Sequence, residues 1–202
     1  APAVRPADLV VDGNALDQAL GDERIAALLV GPGLGRSASM QARLRVALQN
    51  TIPAVCDADA LVLLTQDMLI DRRAPLVVTP HEGEFARLCD TFDVPRTDKV
   101  QTAQALAQAS DMVIVAKGAD TVIAAPDGRT VLARPASSWL SVAGTGDVLA
   151  GLMVSRLATG KAPFDAACEA VWLHGEAARL SGPVFSAGDL AAHVPAAFAA
   201  CL

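Results

Sequence analysis

The sequence predicts an α/β fold in which a mostly parallel sheet is covered by helices on both faces. Three observations carry this. Short, almost uninterrupted apolar runs recur along the chain, as in IAALLVG, APLVVTP and DMVIVAKG; strands buried on both faces read this way. Segments with helical spacing of apolar residues lie between them. A late pair of β-rich runs then gives way to a tail that is almost entirely helical. Alternation of strand and helix favours parallel pairing, because each strand must return to the same end of the sheet through a crossover.

IAALLVG (Ile25–Gly31) reads as a buried strand ending in glycine. SASMQARLRVALQN (Ser37–Asn50) opens on a capping residue and places Met40, Leu44 and Leu48 four apart, which predicts a helix. IPAVCDAD is a strand followed by a turn, and APLVVTP is a further strand. HEGEFARLCD forms a short helix with Phe85, Leu88 and Cys89 on one face. TDKVQTAQALAQAS (Thr97–Ser110) is a helix for which Thr97 is the expected cap. DMVIVAKG is an apolar strand closing at Lys117-Gly118. In TVIAAPDGRTVLARP two strands flank Pro126-Asp127-Gly128-Arg129, a hairpin signal. Helices are expected over Gly146–Thr159, Ala162–Leu180 and Leu190–Ala200.

With 202 residues and 52% hydrophobic content, the chain has enough material for a substantial core. No repeat, low-complexity tract or long linker divides it, so residues 1–202 read as a single domain. The net charge of −6 argues against a broad nucleic-acid or anionic-membrane surface. No signal-peptide pattern or long unbroken apolar run is visible. Cys56, Cys89, Cys168 and Cys201 form no CxxC pair and lie in apolar contexts, so reduced, buried thiols in a cytoplasm are expected. The opening APAVRP lacks an initiator Met, and the expectation is a fragment or a processed product.

In sheets of this kind ligands bind beyond the carboxyl ends of the strands. That rule gathers Gly31, Asp57, Thr79, Lys117 and the loop before Gly146 at one edge. Gly31-Pro32-Gly33-Leu34-Gly35 permits close approach of backbone to a ligand, but its spacing is not that of a dinucleotide fingerprint. Asp57 and Asp59 either share a magnesium ion through water or serve locally, with Asp59 favoured as a helix cap. His81 stands at a strand end where an imidazole can bond an amide or a ribose, while Glu84 and Arg87 are spaced to pair with each other. Lys117 either meets a phosphate or snorkels at the rim. His174 reads as a packed core histidine, and His193 carries no signal.

The most informative stretch is SVAGTGDVLAGLM. Gly144-Thr145-Gly146 exposes backbone N–H groups at a positive helix end, which is how a chain builds an anion site. Asp147 follows directly, where a bound phosphate would repel it. The economical use of that carboxylate is to accept a proton from a hydroxyl attacking a phosphoryl group. A plain acid in a first helical turn is the alternative.

Taken together, GPGLG, DADAL, TPHEGEFARL, KGADTVI and AGTGDVLAG resemble, in order and spacing, the NAD(P)H-hydrate dehydratases of the ribokinase-like superfamily, from about Leu28 to Pro195. The GTGD element marks the superfamily; GPGLG combined with TPHxGEFxRL is more specific. The resemblance implies a three-layer αβα ribokinase-like fold and dehydration of hydrated NADH or NADPH coupled to nucleotide hydrolysis. The donor is ADP in the prokaryotic branch and ATP in the eukaryotic one, accompanied by magnesium. It further implies that Gly35 and the run His81, Glu82, Gly83, Glu84, Phe85, Ala86 and Arg87 contact the hydrated dinucleotide. Lys117, Gly118, Ala119, Asp120, Thr121, Ser137, Ala143, Gly144, Thr145 and Gly146 line the nucleotide site, and Asp147 is the base that also meets substrate. A cytoplasmic homo-oligomer is the implied state. Two departures stand out. Glu82 replaces the usual proline, and the family begins with a further strand–helix region, so residues 1–202 alone are expected to be inactive or weakly active.

Two rivals share these residues. A small-molecule kinase acting on a vitamin alcohol would use the same Asp147 but release a stable phosphorylated product. A non-catalytic member would only bind adenine nucleotides or serve as a scaffold.

Overall fold

A computed structural model of the chain describes Leu16 and residues 20–201. Its sheet has six strands in the order β1 (Leu28–Val30), β2 (Ala54–Cys56), β3 (Leu76–Val78), β4 (Val113–Ala116), β5 (Val122–Ala124) and β6 (Thr130–Leu132). β1 to β4 are parallel, while β5 is antiparallel to both its neighbours. The first expected strand is shorter than IAALLVG, because only its last residues pair with Ala54–Cys56.

Alternation along each strand sorts the core into two layers. Cys56, Val78, Ile114 and Ala124 face one apolar cluster, built with α1 (Ala38–Leu48), α2 (Asp59–Leu63), α3 (Glu82–Thr91) and α4 (Lys99–Ser110). Val55, Val77, Val115 and Ile123 face the other, built with α5 (Thr145–Ala158), α6 (Pro163–Leu180) and α7 (Ala187–Ala199). The result is the expected αβα sandwich. No helix among the described residues is long and apolar enough to cross a membrane.

Local chemistry sets the element ends. Ser37 caps α1 by accepting from the Met40 amide, and Pro163 occupies the first turn of α6. The cap of α4 is Asp98, which accepts from the Gln101 amide; Thr97 lies one residue outside and instead donates its amide to Thr102 Oγ1. The hairpin forms as expected: Arg129 pairs with Asp127, reaches Asp165 and stacks over the Phe164 ring at 4.6 Å, which ties the turn to α6. All four cysteines are free, and Cys56 and Cys89 are buried; Cys168 is half-buried, and Cys201 is exposed near the end of α7 rather than packed in the core. Burial pushes the Cys56 thiol up to about 12.

Candidate active site

Because β1 to β4 run parallel, their carboxyl ends open onto one edge of the sheet. Register then decides which residues share a face. Val55, Val77 and Val115 point toward the α5–α7 layer, so Asp57, Thr79 and Lys117, each two residues further on, share that side. Asp57 and Lys117 meet across the end of β3, with Lys117 Nζ 2.9 Å from Asp57 Oδ1. The Asp57 side chain is 4% exposed and that of Lys117 22% exposed, so the pair is held largely out of water. Thr79, between them in strand order, is buried, and its hydroxyl has no hydrogen-bond partner among the described residues.

The N-terminus of α5 sits directly above. Gly144 turns into the helix at φ 88°, a conformation that favours glycine. No side chain caps this end; the Thr145 amide donates to Val142 O at 3.3 Å, while the Gly146 and Asp147 N–H groups have no partner among the described residues. The Thr145 hydroxyl points away from them, toward Leu140 O at 2.6 Å and Val142 O at 2.8 Å. A Cβ on Gly146 would lie 3.5 Å from Lys117 Nζ and 3.9 Å from Asp57 Oδ2. An ammonium and a positive helix end therefore converge on one small volume, an arrangement suited to an anion. Asp147, in the first turn, is exposed, and no hydrogen bond or ion pair engages its carboxylate among the described residues. It is thus free to act on a ligand's proton.

His174 on α6 supports this turn from behind. It is buried, as expected of a core histidine, but its Nε2 lies 2.8 Å from Thr145 O. Burial pulls its pKa down and nearby Lys117 adds to the effect, against the opposing bond to Thr145. Because the Thr145 carbonyl can only accept, the ring donates through Nε2–H.

The glycine-rich loop after β1 is fixed by Asp59. Its carboxylate accepts from Gly35 N at 3.0 Å and from Arg36 Nε at 2.6 Å. The Arg36 guanidinium, followed by the Gly35 amide, holds Asp59 below the usual carboxylate range. Asp59 is therefore not the expected side-chain cap, since Ala58 occupies the cap position of α2 and makes no side-chain bond. Nor do Asp57 and Asp59 converge on a shared cation: one is spent on Lys117, the other on the loop. Among the described residues no group of three or more His, Cys, Asp and Glu gathers as a metal cage.

The His81–Arg87 segment departs furthest from expectation. His81 is the N-cap of α3, with Nδ1 accepting from the Gly83 and Glu84 amides, while Glu84 Oε2 accepts from His81 N at 2.9 Å. The expected Glu84–Arg87 pair does not form, because Glu84 completes this capping box and Arg87 donates to Val62 O at 2.8 Å. Phe85 is buried in the core. His81, Glu82, Gly83 and Arg87 remain at the surface, with Ala86 half-buried.

The Lys117–Thr121 loop is a tight turn, closed by Thr121 Oγ1 donating to Gly118 O at 3.0 Å. Ala119 and Asp120 are exposed at its tip. Lys99, not singled out from sequence, clamps the loop through Asp120 Oδ1 at 2.7 Å and Asp120 O at 2.9 Å. A signal existed: a lysine in the first turn of a helix opposes the dipole and needs a partner elsewhere. Ser137 caps the short 3₁₀ turn Ser138–Ser141, and exposed Ala143 leads into Gly144.

Known proteins share the sequence pattern and the fold of this chain. The family described as NAD(P)H-hydrate dehydratase matches residues 4–196. The bifunctional NAD(P)H-hydrate repair enzyme Nnr of Mycobacterium leprae is 40% identical over 169 residues, covering 83% of this chain but only 35% of its own length. The chain thus spans about a third of such bifunctional relatives. The ADP-dependent (S)-NAD(P)H-hydrate dehydratase of Bacillus subtilis is 35% identical over 85% of the chain and 62% of its own. A structure of the B. subtilis ADP/ATP-dependent enzyme, co-crystallised with ATP and Mg2+, superposes with a TM-score of 0.75 at 32% identity, covering 87% of this chain and 64% of that one. Ribokinase from Arabidopsis thaliana, at 14% identity and a TM-score of 0.53 over 88% of this chain and 59% of its own, shows the ribokinase-like fold alone. With its profile match, its relatives and its fold in agreement, the chain belongs to the NAD(P)H-hydrate dehydratase family.

Proposed function

We propose that residues 1–202 form a dehydratase domain that repairs hydrated NADH or NADPH, using ADP as the phosphoryl donor. The observation that carries this reading is the free carboxylate of Asp147 beside the uncapped, glycine-lined start of α5, with the Lys117 ammonium alongside. Asp147 takes the proton from the ring hydroxyl as its oxygen attacks the terminal phosphoryl group of the donor. The Gly144 and Gly146 amides and Lys117 stabilise the charge that develops on that group, the Thr145 amide being turned to Val142 O. AMP leaves, and the hydroxyl has become a phosphate ester, a much better leaving group than hydroxide. The ring nitrogen lone pair expels phosphate, and loss of a ring proton restores the double bond. The names of the similar B. subtilis and M. leprae enzymes support both substrate and donor.

Magnesium fits the residues in one limited sense. Of the two buried carboxylates among the described residues, Glu84 is engaged in the α3 cap and Asp57 lies at this edge; magnesium commonly binds through one or two carboxylates, several waters and the nucleotide's own phosphates. When bound, the ion offsets phosphate charge. Asp57 would hold it through water, on the side of its carboxylate not engaged by Lys117 Nζ. In this reading Gly35 and the exposed residues His81, Glu82, Gly83 and Arg87 face the dinucleotide, while the Lys117–Thr121 turn, Ser137 and Ala143 border the nucleotide. Glu84 and Phe85 contribute by building the α3 start rather than by contact. The free thiols support a reducing, cytoplasmic setting.

The test is incubation of the chain, alone and joined to the further strand–helix region with which the family begins, with hydrated NADH and either ADP or ATP, read by the near-ultraviolet absorbance of the regenerated dihydronicotinamide. Recovery of that absorbance with release of phosphate supports the reading. A stable phosphorylated alcohol as the product would mark a kinase instead.

A further inference from the structure

The Asp57–Lys117 pair has an odd location for a structural ion pair. Lysine is placed where a helix end is already positive, within a few ångströms of the Gly146 backbone. That position is electrostatically unfavourable unless a negative group offsets it. In this structure the negative group is Asp57, reaching across β3 from β2. The buried Thr79 hydroxyl, between the two in strand order, has no partner among the described residues. A buried hydroxyl without a partner points to a ligand group or water that completes the site.

We infer that Asp57 is a built-in stand-in for the donor's phosphoryl group: it holds the Lys117 ammonium at the start of α5 until an incoming anion takes its place, and thereby positions that lysine. The inference rests on the nucleotide site proposed above and gives Asp57 a role in the empty site, apart from any contact with magnesium. Asp57 competes with the anion for Lys117. It lowers affinity for the terminal phosphoryl group while keeping the ammonium from swinging into solvent when the site is empty. Once the ammonium turns to the anion, the Asp57 carboxylate is released. Asp57 is a positioning residue, acting through Lys117.

The experiment measures thermal unfolding of the full chain titrated with sodium pyrophosphate, against sodium chloride of equal ionic strength, in EDTA so that no divalent ion contributes. The chain with Asp57→Asn is expected to be less stable in chloride. It should also show a half-saturating pyrophosphate concentration about tenfold lower than the unaltered chain, the size of one charge-assisted contact no longer contested. Lys117→Met, alone or with Asp57→Asn, should lose the pyrophosphate response altogether. If Asp57→Asn is unfolded in chloride, pyrophosphate should restore its folding transition. Equal responses from the unaltered chain and Asp57→Asn overturn the inference. So does a response that survives Lys117→Met, or an unfolded Asp57→Asn that pyrophosphate does not rescue. No hydrated dinucleotide is used, so failure of the dehydratase assay and failure here are separate results.

Discussion

At the scale of single residues, the site is a balance of a few charges around one helix end. In the proposed mechanism Asp147 is the group on which the chemistry turns, and its carboxylate has no partner among the described residues, which makes it a clean target. Asp147→Asn keeps the shape and removes the base, so turnover should fall by about 10²–10⁴-fold, the usual worth of a positioned general base. Nucleotide affinity, measured by calorimetry, should persist or rise, because a negative charge beside the phosphate site is gone; an unchanged rate would exclude the base role. His174 gives a second prediction. Its pKa in the folded protein is lowered, chiefly by burial, so the unfolded chain binds a proton more readily. Its contribution to stability is complete above the unfolded value of about 6.5 and is lost as the pH falls toward the lowered folded value. Thermal stability should therefore drop on going from pH 7 to pH 5, and His174→Gln should flatten part of that slope. The role of this histidine was only half legible. Apolar neighbours in AVWLHGEAARL announce burial, but nothing local shows that its Nε2 meets a carbonyl 29 positions away.

At the scale of elements, the starts of helices and the exits of strands do most of the positioning. The start of α3 is a reciprocal cap, and sequence misread it for a physical reason: histidine is an unusual capping residue, while glutamate and arginine three apart look like an ordinary surface pair. Replacing Glu84 by Ala frees the His81 amide and removes a largely buried carboxylate, which should cost about 1–2 kcal/mol in chemical denaturation. Exposed Glu82→Ala, two residues away, should stay within about 0.5 kcal/mol. The exit of β1 is more demanding. Gly31 has φ 132°, and a Cβ there would lie 1.7 Å from the Asp57 carbonyl oxygen. Gly31→Ala must push apart the ends of β1 and β2 and should destabilise the fold by more than about 3 kcal/mol. Where the protein still folds, the displaced Asp57 should also disturb Lys117. The glycine run was visible in sequence; its contact with a residue 26 positions later was not, because that depends on strand register.

For the whole molecule, the layer plan was legible because burial on both faces leaves its mark directly on composition: VIVA and LVV have no polar face to show. What stayed hidden were the partnerships that exist only once strand order is fixed. Asp57 and Lys117 are 60 positions apart and meet because β3 alone separates their strands. The same plan sets where the molecule should open first. β2, β3, β4 and β5 are buried along their whole length, whereas the residues of β1 are half-buried and those of β6 half-buried or exposed, as befits the two edges of the described sheet. Amides in the central strands are released only when both apolar layers separate, since each strand contributes side chains to both. Native-state hydrogen exchange should therefore find the slowest amides in Val55, Val77, Ile114 and Val115, with a common opening free energy equal to that of global unfolding. Val131 and Leu132 on β6 should exchange orders of magnitude faster through local opening. The edge proposed to bind the nucleotide hangs from the slow strands, since Asp57 follows β2 and Lys117 follows β4. Pyrophosphate binding should accordingly slow exchange at the start of α5 and leave the β6 amides as they were; protection that spread equally to β6 would mean that the anion acts on the whole fold rather than on this edge.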